Sequence, residues 1–263
     1  SGNGSTRESW RVCGVCGSSV RVPTSRPPIG TSIATGVLPE RHGIESFTQN
    51  GKPVASTMRK SPAFWNILSS YGRSVGVLAW WATFPAESVN GYIISPYMIF
   101  QAPNAPDGPI VSLWNQPDPR KTFPPELYAA VEQTMKRGQD MASENMADVF
   151  VGPEQTPQTA WVVARDQSYL ELTKALLQAK PVELVATYLQ GIDVASHDMS
   201  RYVFGGTWYF KKVPKVSAEE HQAAMDRVYA MYERTDQMVG ELLDAVTADT
   251  DVIVVSDHGW EYD

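Results

Sequence analysis

The order of apolar runs along the chain predicts an α/β fold with a mainly parallel central sheet and helices on both faces. Short continuous apolar runs at Val75–Trp80, Val182–Leu189 and Val252–Val255 read as strands buried on both sides. Segments with helical apolar spacing lie between them, and such strand–helix–strand alternation folds as a parallel sheet covered by helices. The composition agrees: 263 residues, 43% hydrophobic and 19% charged, are enough to build a sizeable core and exclude a disordered chain. A formal net charge of −7 argues against a surface made to grip nucleic-acid phosphates, and there is no nucleic-acid-binding signature. No run approaches the ~20 apolar residues that a membrane span needs. Two cysteines cannot make a disulfide framework.

Residues 1–23 are rich in Gly, Ser and Arg without a period and read as an irregular N-terminal segment. Cys13 and Cys16 form a C-x-x-C there. Half a zinc site or a redox pair would need a second Cys pair or a βαβ flank, so these read as unrelated thiols. Thr31–Gly36 reads as the start of a short helix closed by Gly36. Ser61-Pro62 opens a helix with Phe64, Ile67, Leu68 and Tyr71 at helical spacing, stopped by Gly72. Helices are expected from about Pro125 to Arg137 and from about Gln167 to Ala179, the latter with Leu170, Leu172, Leu176 and Leu177 inward. The longest helix opens with Ser217 and Glu220 as a capping box. Its apolar stripe is read at Met225, Val228, Tyr232, Thr235, Val239, Leu242 and Val246. Residues 97–165 are Pro-rich, aromatic and weakly periodic, an irregular insertion over the sheet suited to a lid or to substrate recognition.

In an open α/β sheet, ligands bind beyond the carboxyl ends of the strands. Two strands here end in acid and imidazole together: Leu189-Gln-Gly-Ile-Asp193-Val-Ala-Ser-His197, and Val255-Ser-Asp257-His258-Gly259. If the chain turns helical after the first strand, Asp193 and His197 share a face and can reach one ion. A tight turn at Gly259 can let Asp257 and His258 converge likewise. Oxygen and imidazole donors suit zinc, or manganese if more oxygen is supplied. Of the four histidines, His42 reads as part of a structural turn and His221 as an exposed residue in the first turn of the long helix. Trp80, Trp81 and Phe84 read as core rather than as pocket lining.

Four stretches together resemble the alkaline phosphatase superfamily, and within it the type I phosphodiesterase/nucleotide pyrophosphatase branch. They are Thr31–Ile44, Val75–Glu87, Tyr188–His197 and Val252–Gly259, in the family's order, and they span residues 24–263 as a partial catalytic domain. The resemblance implies an alkaline-phosphatase-like fold, hydrolysis of a small-molecule phosphate ester or nucleotide, and two divalent metal ions, usually zinc. It assigns Asp193 and His197 to one ion and Asp257 and His258 to the other. The family completes these sets with an Asp on the first strand and a His toward the C-terminus. No Asp occurs before Asp107 and no His follows His258, so the chain reads as a fragment of a longer domain.

The family's nucleophile is a Ser or Thr against a helix N-terminus. Its spacing from Gly36 lands on Arg26, and the adjacent hydroxyls are Ser25 and Thr24, of which Ser25 is preferred. Alternatives on the same scaffold are a phosphomonoesterase, a phosphomutase or a sulfatase, although neither Ser25-Arg-Pro nor the two cysteines has a sulfatase setting. A truncated, non-catalytic member is a further alternative.

Overall fold

The structure, a computed structural model, describes residues 26–98, 113, 116–149, 157–203 and 216–259. Among the described residues the central sheet has four strands, in the order β5-β4-β3-β6. Strand β3 (Val75–Leu78) pairs in parallel with both β4 (Gly91–Ile94) and β6 (Leu184–Thr187). The short β5 (Thr122–Phe123) closes one edge antiparallel to β4. The mostly parallel α/β sheet expected from the apolar runs is therefore present. A hairpin of β1 (Thr48–Gln49) and β2 (Lys52–Pro53) lies apart from it.

Alternation along β3 divides the core into two layers. Val75 and Val77 join Trp65, Val89 and Ile93 on one face, packed with Ala34 of α1 (Arg26–Thr35) and the residues of α3 (Phe64–Ser70). Leu78, Tyr92 and Ile94 face the other way, against Val131 and Met135 of α4 (Tyr128–Val149) and Tyr169, Leu172 and Leu176 of α5 (Pro157–Ala179). The chain enters β4 at Gly91, with φ of 138°, where a Cβ would stand 2.0 Å from the Val75 carbonyl oxygen, so only glycine permits this register.

Helix α5 is the best-tethered element. Tyr169 donates to the Ser95 carbonyl beyond β4 (2.7 Å), Ser168 to the Met135 carbonyl of α4 (3.0 Å), and Thr173 to Thr187 of β6 (3.3 Å). Beyond β6 come α6 (Gly191–Val203) and α7 (Ala218–Asp244), and Val194, Ala195 and Met231 pack with Val162 and Val163 of α5. On the opposite face Arg59 and Glu87 form a half-buried ion pair at 2.7 Å, with the Trp65 indole donating to the same carboxylate (3.2 Å).

Several sequence expectations shift. Helix α3 begins at Phe64, and Ile67 and Tyr71 are exposed while Trp65 is buried. Helix α5 begins at Pro157 rather than near Gln167, because buried Arg165 and Asp166 break the apolar spacing there. Within 97–165, the stretch expected to be irregular, the described residues include all of α4 and the start of α5. Helix α7 has the expected Ser217–Glu220 capping box, but its buried side chains are Ala224, Val228, Met231 and Met238, so Tyr232 faces outward.

Val252–Val255, expected as a buried strand, is not a strand. Its residues are 41%, 85%, 71% and 60% exposed. An apolar run becomes a strand only where its backbone pairs with an adjacent edge, and among the described residues this run pairs with none, β6 remaining the outer strand of the sheet. The same reasoning gives a test. Ile253→Lys should change the unfolding free energy in urea by less than ~0.5 kcal/mol, the range for an exposed substitution. A loss of several kcal/mol would place this run in the core.

Candidate functional site

Both acid–imidazole pairs lie beyond the carboxyl ends of strands or apolar runs, as the sequence suggests. Asp193 and His197 fall in the first two turns of α6, four residues apart, and His197 Nε2 lies 3.4 Å from Asp193 Oδ1. The turn after Val255 brings His258 Nε2 to 3.3 Å from that same Asp193 oxygen, and Asp257 Oδ1 stands 3.8 Å from His258 Nε2. The two pairs, distant in sequence, thus meet at one carboxylate. The contacts are pairwise: among the described residues no group of three or more His, Cys, Asp or Glu side chains is placed to hold a metal ion.

Hydrogen bonding sets the state of His258. Its Nδ1 lies 3.0 Å from the Gly259 carbonyl oxygen, which can only accept, so Nδ1 carries the proton. A neutral His258 then turns the lone pair of Nε2 toward a carboxylate oxygen. Two electron-rich atoms at that separation repel unless a cation, either a proton on Nε2 or a metal ion, stands between them.

The N-terminus of α6 is held from outside. Residues Leu189-Gln190-Gly191 offer no side chain of the usual capping type. The carboxylate of Asp166, on α5, takes that place. It accepts from the Gln190 N–H (2.8 and 3.0 Å to its two oxygens) and from the Gly191 N–H (2.6 Å). Arg165 Nη1 donates to Asp166 at 2.8 Å, and its guanidinium lies over the rings of Tyr169 (4.9 Å) and Tyr188 (5.9 Å). Both charged side chains are fully buried. Burial pushes the Asp166 carboxyl up from its ordinary range, against the pull of the guanidinium and the two amides. Gly191 has no room for a Cβ, which would meet Met231 Sδ at 2.6 Å and Asp166 Oδ2 at 3.0 Å.

Sequence reasoning missed Asp166. An Arg-Asp neighbour pair inside a helix reads as solvated charge, and the only signal was the missing cap at α6.

Ser25 and Thr24 lie outside the described residues, as do Cys13 and Cys16. Thr31 and Ser32 lie within α1. Trp80 donates to the Gly30 carbonyl of that helix (3.0 Å) and stacks near Tyr188, 6.5 Å between ring centres. Trp81 and Phe84 are buried around Tyr97, the core role expected of them. His221 is exposed, with Nδ1 3.2 Å from the Tyr202 carbonyl oxygen.

His42 is structural. It is fully buried, and its Nδ1 accepts from the Ile44 N–H (3.1 Å), which leaves the proton on Nε2 to donate to Ser32 of α1 (3.0 Å). That bond ties α1 to α2 (Pro39–His42) and to the αL turn at Gly43.

The mostly parallel α/β sheet is compatible with an alkaline-phosphatase-like fold. The family model of type I phosphodiesterase / nucleotide pyrophosphatase matches residues 10–261, and the chain belongs to that family. Membership implies phosphodiesterase or pyrophosphatase activity on a small phosphate ester or nucleotide. Comparison with curated proteins and with solved structures finds no match. No helix among the described residues is long and apolar enough to cross a membrane.

Burial lowers the His42 pKa below its ordinary 6.5. The unfolded chain therefore binds this proton more readily than the folded one. The stabilisation is complete above about pH 6.5 and is lost as pH falls through the lowered folded value. In urea unfolding across that window, the wild type should lose stability more steeply than His42→Asn, whose amide oxygen still accepts from Ile44. Equal slopes would contradict a neutral buried imidazole.

Proposed function

We propose that this protein is a metal-dependent hydrolase of phosphate esters, of the phosphodiesterase/nucleotide pyrophosphatase type. Its nucleophile is Ser25, with Thr24 the adjacent alternative. Two divalent ions, zinc or else manganese, would be held by Asp193 and His197 and by Asp257 and His258.

The observation that carries this reading is the approach of His258 Nε2 and His197 Nε2 to one oxygen of Asp193, at 3.3 and 3.4 Å. A tetrahedral zinc ion with bonds of about 2.0–2.1 Å sets its donors about 3.3–3.4 Å apart, so the Asp193–His197 separation suits two donors to one ion, while His258 brings the second pair alongside. The donor chemistry fits as well: oxygen and imidazole, with the His258 proton parked on Nδ1 and its Nε2 lone pair directed at the acid.

Bound there, the ions would supply positive charge that lowers the pKa of a hydroxyl and stabilises the oxygen that leaves. The chain supplies the rest. Ser25 immediately precedes α1 in sequence, a ten-residue helix whose dipole favours phosphoryl oxygens, although Pro27 and Pro28 in its first turn carry no N–H. Its hydroxyl oxygen bonds to phosphorus as the ester oxygen departs with the proton, and water then cleaves the serine–phosphate bond and restores the hydroxyl. Residues 97–165 would carry substrate recognition.

A second reading, a non-catalytic member, draws on the absence of a three-ligand metal group among the described residues. Two measurements separate the readings. Elemental analysis of purified protein should find about two zinc per chain, as the two-ion arrangement requires. His197→Ala and Asp257→Ala should each lower kcat/KM for bis(p-nitrophenyl) phosphate at least ~100-fold, the scale of losing one strong electrostatic group. No bound metal and no hydrolysis by the wild type would favour the second reading.

A further inference from the structure

We infer that Asp166 is the positioning residue of the site: its carboxylate, fixed in α5, sets where α6 begins and thereby where Asp193 and His197 stand. The inference rests on the metal-site reading above.

Among the described residues α6 begins without a side-chain cap of its own. Its first N–H groups have no intrahelical partner, and the Gln190 side-chain oxygen, the one side-chain acceptor in Leu189-Gln190-Gly191, takes no hydrogen bond there. The Gln190 and Gly191 N–H groups are answered instead by one buried carboxylate on a different helix. That helix is held to β4, β6 and α4 by the hydrogen bonds of Tyr169, Thr173 and Ser168, so Asp166 has little freedom to follow α6. Contact with Met231 of α7 blocks the other side, where even a methyl group on Gly191 would collide. The start of α6 is thus clamped between α5 and α7. Asp193 is two residues beyond the clamp, within the first turn, and its geometry follows the Gly191 backbone.

Stability alone does not account for the arrangement. A buried ion pair is commonly no better than apolar residues of the same volume. Among the described residues this one also leaves Arg165 Nη2 buried without a hydrogen-bond partner, a further cost. What the pair provides that apolar residues cannot is a fixed acceptor for two specific amides. A residue outside the ligand set that orients ligands in this way typically changes metal affinity 10- to 100-fold when altered, about the range expected here.

The test uses the full chain and cobalt(II) in place of zinc, because its visible spectrum reports ligand geometry and its titration gives affinity without any assay of turnover. Asp166→Asn keeps the volume but presents an NH2 group where one amide needs an acceptor. Since that variant strands the Arg165 charge and can fail to fold, the double variant Arg165→Met/Asp166→Asn, which removes the charge as well, is measured beside it. Both should bind cobalt at least tenfold more weakly than the wild type, with altered band shape, and the double variant should do so even where its unfolding midpoint is restored. A folded double variant with wild-type affinity and spectrum would overturn the positioning role while leaving the metal-site reading standing, provided His197→Ala weakens binding. If His197→Ala and the wild type take up cobalt alike, or neither does, the metal-site reading fails and this inference falls with it.

Discussion

Helix α6 begins on a carboxylate that it does not own. The α6 half of the candidate site depends on that constraint: Asp166 reaches out of α5 to the amides of Gln190 and Gly191, and Asp193 follows within one turn. The anchor works because α5 is itself immobilised between the sheet and its helical neighbours. A charged pair in such a place costs desolvation, and its counterweight is geometric, since three N–H donors converge on one anion. The opposite face of the sheet shows the same economy of means. There Arg59 and Glu87 join α3 to the loop that leads into β4, and Trp65 completes the carboxylate's partners.

The site itself is an electrostatic problem with a narrow set of solutions. Asp193 Oδ1 faces two imidazole nitrogens, and the one from His258 is committed to a lone pair by the Gly259 carbonyl. His42 shows the contrasting case. Its ring is also locked to one tautomer, but by a backbone N–H on Nδ1, and its proton is used to hold α1. One histidine serves the fold by donating from Nε2, and the other leaves Nε2 open toward an acid. The difference between a structural imidazole and a candidate ligand here is which backbone group meets Nδ1, an N–H in His42 and a carbonyl in His258.

Much of this was legible in the sequence, and for identifiable reasons. Strand β3 is a continuous apolar run and is buried throughout, so run and strand coincide, whereas β6 at the sheet edge is half-buried at every position. The spacing of Asp193 and His197 announces one helical face once the chain turns after β6. Helix α7 was marked by its capping box, though the buried stripe lies on Met231 and Met238 rather than on Tyr232 and Val239, since apolar character alone does not say which side of a helix its neighbours cover. Two things were hidden. Arg165 and Asp166 look like solvent-facing charge because their partners, the amides of Gln190 and Gly191, are distant in sequence. Val252–Val255 looks like a strand because the pattern states what a segment could bury, not whether it joins a sheet edge, and here it does not join that of β6.

The central claim is that Asp193 joins the two acid–imidazole pairs around bound cations. The most direct measurement is a crystal structure of the full chain grown with zinc, with anomalous differences collected on both sides of the zinc absorption edge. The account expects zinc peaks about 2.0–2.2 Å from a carboxylate oxygen of Asp193 and from the Nε2 atoms of His197 and His258. Zinc located elsewhere, or Asp193 with no zinc within bonding distance, would contradict it.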